Sequence, residues 1–384
     1  MLLTADPLWQ LTAACADDAR PERLDLIVGV YRDDSGASPV MRAVRAAELR
    51  LAQRSTSKEY AGPSGNRRFA ALLTDLMLGD PALTSRTVAV QSVAGTGALR
   101  LIAELLATTG PDRTVHLGTP SYVNHAGILA AAGLRVATHP VRDMLAAVET
   151  ARPGDALVIQ GCCHNPSGFS MPIRQWDELS AALVRRGVVP FIDQAYFGLG
   201  DGLDADLAGM RRLLRAVGFG VVAVSGSKAW GLYSERVGAA LVVGDLPGVR
   251  SELEGVRGEV PGVRGLLEGF ARTSYSQPPA HGAMIVEEIL GDPELTACWR
   301  SELEAMRRRL GRLRTGLASH LDMPDLAEQR GMFLSLPLTA DAMERLRVDH
   351  GIYGLPSGRI NLAGLPESRI PQVAEAIRLA LAAE

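Results

Sequence analysis

The sequence predicts an α/β protein: a large domain built on a mostly parallel mixed sheet flanked by helices, plus a smaller α+β domain. Three observations carry that expectation. Seven short runs between about Thr87 and Val242 are apolar throughout, as strands covered on both faces are. Helix-like segments fall between several of them, giving the strand–helix–strand alternation of a parallel sheet. After Pro293 the pattern changes to one long, charged, amphipathic segment followed by weaker strands.

Taken in order, the segment up to about Pro39 has no partner of its own and is expected to pack on the smaller unit. The candidate strands are TVAVQSV, TVHLGT, RVATHPV, ALVIQGC, VVPFIDQA, VVAVSGS and GAALVVG. GALRLIAELLATTG and IRQWDELSAALVRRG read as helices between them. PELTACWRSELEAMRRRLGRLRTGLASH, from Pro293 to His320, reads as a long helix rich in charge pairs. GMFLSLPL and GRINLAG read as two short strands, and PQVAEAIRLALAAE as a terminal helix. The expected division is residues 40–298 for the large domain, and 1–39 with 299–384 for the small one.

The 384 residues carry a net charge of -3, which gives no electrostatic case for nucleic acid or an anionic membrane as partner. No apolar run approaches the ~20 residues of a membrane span. The N-terminal stretch has acids and a proline where a signal peptide needs a basic start and an apolar core. Cys15, Cys162, Cys163 and Cys298 form no CxxC pair and read as reduced thiols of a cytoplasmic protein. No third or fourth ligand sits at usable spacing from Cys162, Cys163 and His164, so no metal site is expected there.

Four stretches carry chemistry. GTGALR, Gly95 to Arg100, is a glycine-rich strand-to-helix turn whose free backbone N–H groups suit phosphate. Arg100 stands where a dinucleotide fingerprint needs its third glycine, and the next strand ends in GTP without an acid. That weakens a nicotinamide-dependent oxidoreductase. Asp193 follows an apolar strand, where an acid usually faces the crevice of an open sheet, with Tyr196 three residues on. Asn165 sits in the turn NPSG after another strand. Lys228 follows the strand VVAVS, flanked by Ser225 and Ser227, with Arg236 beyond. Read alone, each has a bland alternative: a packing turn, a helix N-cap, a structural asparagine, a surface cation. The chain has 38 arginines and two lysines, Lys58 and Lys228, so a cation could be arginine at either place. Arginine cannot form a Schiff base, whereas a partly desolvated lysine can. A lysine, an acid, a tyrosine, an asparagine and phosphate donors together are the set that pyridoxal 5'-phosphate needs.

At this point the chain resembles the class I aspartate/aromatic amino acid aminotransferases, fold type I pyridoxal-phosphate enzymes. GVYRDDSG, KEYAGPSG, GTGALR, PSYVNHAGILAAAGL, CCHNPSG, DQAYFGLG, SGSKAWGLYSERVGA, SYSQPPAHGA, RGMF and SGRINLAG each look like the family segment, in order along nearly the whole chain.

The resemblance implies roles. Lys228 would hold the cofactor as a Schiff base and act as general base. Asp193 would pair with the pyridinium nitrogen, supported by His125. Tyr196 and Asn165 would bond the ring 3′-oxygen, and Tyr122 would stack where the aspartate enzymes have a tryptophan. Gly95, Thr96, Ser225, Ser227 and Arg236 would hold the phosphate, joined by Tyr60 from the partner subunit of a homodimer. Arg359 would grip the substrate α-carboxylate, near Gly29 and Asn165. Arg272, also from the partner subunit, would bind a distal carboxylate. The implied activity is amino-group transfer between an aspartate-like or aromatic L-amino acid and a 2-oxo acid such as 2-oxoglutarate, with ping-pong kinetics. Tyr122, Gly226 and Trp230 depart from the family's common residues and bear on substrate identity. Elimination, decarboxylation or racemisation on the same residues is the alternative activity, and an intact Arg359 argues against a non-catalytic regulator.

Overall fold

The computed structural model describes residues 7–55, 57–245 and 262–382. All seven apolar runs form strands of one sheet: β1 (Thr87–Val93), β2 (Thr114–Thr119), β3 (Arg135–Pro140), β4 (Ala156–Gln160), β5 (Val189–Gln194), β6 (Phe219–Ser225) and β7 (Val237–Gly244). Their spatial order is β1–β7–β6–β5–β4–β2–β3. The pairings β6–β5, β5–β4, β4–β2 and β2–β3 are parallel, while β7 runs antiparallel to both β1 and β6. The mixed sheet has a simple local cause. The eleven residues from Gly226 to Arg236, which carry Lys228 and join β6 to β7, form turns and no helix, so they provide no helical crossover for a parallel return.

Successive residues of β6 alternate between two apolar layers. Val221 and Ala223 join the core that includes Leu101, Ile102 and Leu105 of the helix Ala94–Thr109. Val222 and Val224 join the opposite core, with Trp176 of the helix Ile173–Arg186 and Met210 of the helix Leu203–Ala216. Burial on both faces explains the lack of polar alternation in the strands.

The long helix forms as Pro293–Leu321, with Pro293 in its first turn and Asp292 accepting from the N–H groups of Glu294 and Leu295. Its first part, including Trp299 and Leu310, belongs to the large core, and Leu313, Leu317 and Leu321 belong to a separate core. That second core also holds Leu24, Leu26, Leu334, Ile360 and Ile377. The strands Phe333–Ser335 and Arg359–Asn361 pair antiparallel there. Leu24 and Asp25 pair in parallel with Ile352 and Tyr353. The terminal helix runs from Ile370 to Ala382. Among the described residues no helix is long and apolar enough to cross a membrane.

Candidate active site

Strand ends set the site. Gln160 ends β4 and pairs in register with Asp193, the last residue but one of β5, and Ser225 ends β6. Gly95, Thr96, Tyr122, Asn165, Asp193, Tyr196, Ser225, Ser227, Lys228 and Arg236 line one pocket with about 500 Å³ of open space, together with Leu99, Gln160 and Ala195. This is the crevice beyond the carboxyl ends of parallel strands, where open α/β sheets bind ligands.

One wall suits a phosphate. Beyond the last β1–β7 pair, Val93 with Val237, Ala94 donates its N–H to the carbonyl of Arg236 at 3.0 Å. Both residues take left-handed backbone angles, φ 54° at Ala94 and 52° at Arg236. Such angles cost about 1–2 kcal/mol per residue, and here they turn both chains into the pocket. No side chain caps the helix that begins at Ala94, so the N–H groups that follow Ala94 are left for an anion. A Cβ added at Gly95 would sit 2.9 Å from the Cβ of Ser225, which leaves room for glycine only. Arg236 donates to Tyr233 O at 2.8 Å and to Ser227 Oγ at 3.4 Å, which aims its guanidinium along the same wall.

The opposite end carries the carboxylate. Asp193 is buried, and its Oδ2 lies 2.9 Å from His125 Nε2. His125 Nδ1 lies 2.8 Å from Ser121 Oγ. Asp193 is thus a strand residue bonded to a histidine, not a helix cap.

Lys228 keeps part of its surface open to the pocket but is otherwise enclosed by protein. Desolvation pushes its amine down from 10.5 to about 8, with Asp193 opposing and Arg236 adding to the fall. Its Nζ stands 5.5 Å from the centre of the Tyr196 ring. Burial, with Asp193 next, raises Tyr196 far above the usual phenol range, so its hydroxyl stays a donor. Behind Lys228, Trp230 stacks on Trp299 at 5.0 Å, and Trp299 Nε1 donates to the carbonyl of Ala229 at 2.8 Å.

Arg359 lies beside Asn165. Arg359 is buried, donates from Nη1 to Asn165 Oδ1 at 3.2 Å and from Nη2 to Ile27 O at 2.6 Å. Its Nε has no partner among the described residues, which leaves a buried donor for a ligand carboxylate. The guanidinium sits 4.3 Å over the Phe333 ring, and a Cβ at Gly29 would strike Phe333 Cζ at 2.7 Å. Gly29 therefore leaves space for the ring that supports Arg359. Burial lowers the Arg359 pKa from its ordinary value.

Gly29 and Arg359 lie outside the pocket lining, Arg359 being joined to it through Asn165, and two further expected residues stand apart from both. Tyr60 is 92% exposed, and Arg272 is an exposed residue at the end of the helix Val263–Ser274, bonded to Ser276 Oγ. Neither lines the pocket of the single chain. Sequence reading also passed over Gln160, hidden in an apolar run, and the roles of Phe333 and Trp299, which depend on distant partners. It missed a group near the vicinal cysteines as well. Asp206 comes within 4.8 Å of the Cys162 and Cys163 sulfurs. Its carboxylate accepts from the N–H groups of Gly198, Gly200 and Asp201, and burial raises its pKa to about 6.

An enclosed amine, a buried carboxylate at the far end and a phosphate cradle between a helix N-terminus, two serines and an arginine fit pyridoxal phosphate. Comparison with known proteins agrees. Residues 21–377 match the family model of class I and II aminotransferases. A tyrosine aminotransferase of Rhizobium meliloti (strain 1021) is 44% identical, with 96% of each chain covered. An aspartate aminotransferase of Salmonella typhi is 36% identical, with 97% of each covered. The crystal structure of an aromatic-amino-acid aminotransferase from Burkholderia pseudomallei covalently bound to pyridoxal phosphate superposes with a TM-score of 0.91 at 36% identity, covering 99% of this chain and 98% of that one. The chain belongs to the class I and II aminotransferase family. It has the fold of the pyridoxal-phosphate aminotransferases, and as a transaminase it depends on that cofactor.

Proposed function

We propose that this aminotransferase exchanges the amino group of an aspartate-like or aromatic L-amino acid with a 2-oxo acid such as 2-oxoglutarate. The observation that carries the reading is the pairing of two groups about Asn165. This residue lines the pocket of Lys228 and accepts from the buried Arg359, whose Nε is unmatched among the described residues. A substrate carboxylate on Arg359 would hold the α-carbon on the Lys228 side of the pocket.

Bound in this pocket, pyridoxal phosphate supplies an electron sink for the charge left on the substrate α-carbon. The protein's residues do the rest. Ser225, Ser227, Arg236 and the N–H groups at Gly95 and Thr96 anchor a phosphate and fix orientation. Asp193, held by His125, places a negative charge at the pocket's far end. Tyr196, which keeps its hydroxyl proton, would donate a hydrogen bond to an oxygen of the bound cofactor, and Asn165 orients Arg359. With a pKa of about 8, roughly a tenth of the Lys228 amine is free base at pH 7, ready to take the α-proton at Nζ. Tyr122 narrows the pocket as a stacking ring.

We further infer a homodimer with shared active sites, in which Tyr60 reaches the partner's phosphate wall and Arg272 meets a distal substrate carboxylate. Both side chains are exposed and stand outside their own pocket, and the chain also exposes the apolar Leu49 and Val123. We also infer residues 40–298 as the large domain, with 1–39 and 299–384 as the small one; the separate core around Leu26 and Leu334 supports a small unit, although Trp299 and Leu310 pack in the large core. The four cysteines are unbonded, which suits the cytoplasm.

The test is a screen of L-amino acids, one at a time, against the purified holoenzyme. Absorbance would follow conversion of the bound cofactor to its amine form, with products identified by mass spectrometry. Aspartate, glutamate, tyrosine or phenylalanine should give the matching 2-oxo acid. Amines or eliminated products without the 2-oxo acid would overturn the proposal.

A further inference from the structure

Gln160 is the one polar residue of β4, a strand that otherwise reads Ala-Leu-Val-Ile. Sheet register sets it directly beside Asp193. Its side-chain oxygen accepts the Asn165 N–H at 2.8 Å, and its Nε2 donates to the Asn165 carbonyl at 3.0 Å. One amide therefore clamps both faces of the Asn165 residue's backbone. That double bond also settles which end of the amide is which, since only the oxygen can accept from a backbone N–H.

The second Nε2 hydrogen then points toward Ser121 Oγ, 3.4 Å away. With that hydrogen arriving, the serine hydroxyl is free to donate to His125 Nδ1 at 2.8 Å. His125 Nδ1 is then an acceptor, and the ring proton belongs on Nε2, which faces Asp193 Oδ2 at 2.9 Å. The donor directions run one way, from Gln160 through Ser121 and His125 to Asp193.

We propose that Gln160 is a positioning residue for both halves of the site: its amide holds Asn165 in place and, through Ser121, sets the His125 proton on the nitrogen that faces Asp193. The inference rests on the aminotransferase reading above, and it adds a residue that touches neither substrate carboxylate nor reacting carbon. It links the Arg359 clamp, through Asn165, to the group that anchors the cofactor ring, through His125. A carboxylate at position 160 would break the pattern in a defined way. It can accept from the Asn165 N–H, but it repels the Asn165 carbonyl and draws the Ser121 hydroxyl toward itself. His125 Nδ1 would then face a lone pair and would need a proton of its own.

The test uses holoenzyme labelled with ¹⁵N-histidine, with the His125 signals identified by their loss in His125→Gln. The wild-type spectrum should show a protonated Nε2 and a bare Nδ1. In Gln160→Glu the proton should appear on Nδ1, and kcat should fall about 10- to 100-fold, as for other outer partners of an oriented histidine. Ser121→Ala, which deletes the middle of the chain, should move the His125 signals in the absence of any change at Gln160. A wild-type ring with its proton on Nδ1, or a Gln160→Glu ring unchanged from wild type, would overturn the proposal even if kcat fell. Should Gln160→Glu not fold, the wild-type and Ser121→Ala spectra decide alone. The ring measurement needs no turnover. Absence of transamination in the wild type would sink the function reading and leave the Gln160 result standing.

Discussion

Arg359 donates from Nη1 to Asn165 Oδ1 across 3.2 Å, joining the candidate substrate clamp to a residue that lines the Lys228 pocket. Arg359→Lys keeps the charge but loses the planar fork, so it cannot hold Asn165, Ile27 O and a carboxylate together. We expect KM to rise at least about 30-fold for every amino acid tested, corresponding to about 2 kcal/mol. Steady-state kinetics with one aromatic and one dicarboxylic donor checks this. A loss confined to one class would mean that Arg359 reads the side chain and not the α-carboxylate.

The depressed pKa of Lys228 has a sign that can be measured in the cofactor-free protein. The folded chain holds the amine at about 8, against the ordinary lysine value of 10.5. Between those values the unfolded chain binds more protons, so stability rises with pH across that window and is lost again as pH falls toward 8. The full shift is worth up to about 3 kcal/mol. Lys228→Met removes the titration. Urea unfolding at several pH values should show the variant more stable than wild type near pH 7.5, with the gap closing by pH 10.5. A gap independent of pH would mean that the amine is not desolvated. The same variant should have no measurable turnover.

Gly95→Ala places a methyl group 2.9 Å from the Ser225 Cβ, at the wall that would receive the phosphate. Crowding of this size costs about 1–3 kcal/mol. Cofactor affinity should fall about tenfold or more in an absorbance titration of the cofactor-free protein, while the fold, followed by circular dichroism, is retained. An unchanged affinity would move the phosphate elsewhere.

Tyr60 and Arg272 test the shared site. Arg272→Ala should lower kcat/KM for aspartate by about 10- to 100-fold, the worth of a charge-assisted pair, and leave phenylalanine within a few-fold. Tyr60→Phe should weaken cofactor binding. Sedimentation should show a dimer in both. A fully active monomer would refute the cross-subunit assignment.

The sheet was legible because strands covered on both faces are apolar throughout, and each quoted run forms one strand. Its order was not, since strand pairing depends on contacts across the whole chain. The insertion of β7 between β1 and β6 illustrates this. Residues such as Lys228, Ser225 and Arg236 could be found because they crowd into one short stretch. Asp193 and Asn165 could be placed at strand ends, but their bonds to His125 and Arg359 could not. Gln160 escaped notice because its role comes from register beside Asp193 and from the turn that Asn165 makes, and a single polar residue at a strand end signals neither. The Trp299 bond to Ala229 spans 70 residues and has no local trace in the sequence.

Lys228 sits enclosed in its pocket, while Lys58, the only other lysine, lies on the surface. The protein is therefore a nearly silent background for amine-directed reagents. Apart from the chain's own α-amino group, a labelling reaction meets one fast site and one guarded site. Reductive methylation, followed peptide by peptide, would report directly on how open the pocket is. Saturating substrate or cofactor should slow modification at Lys228 and leave Lys58 untouched, giving each experiment its own internal standard.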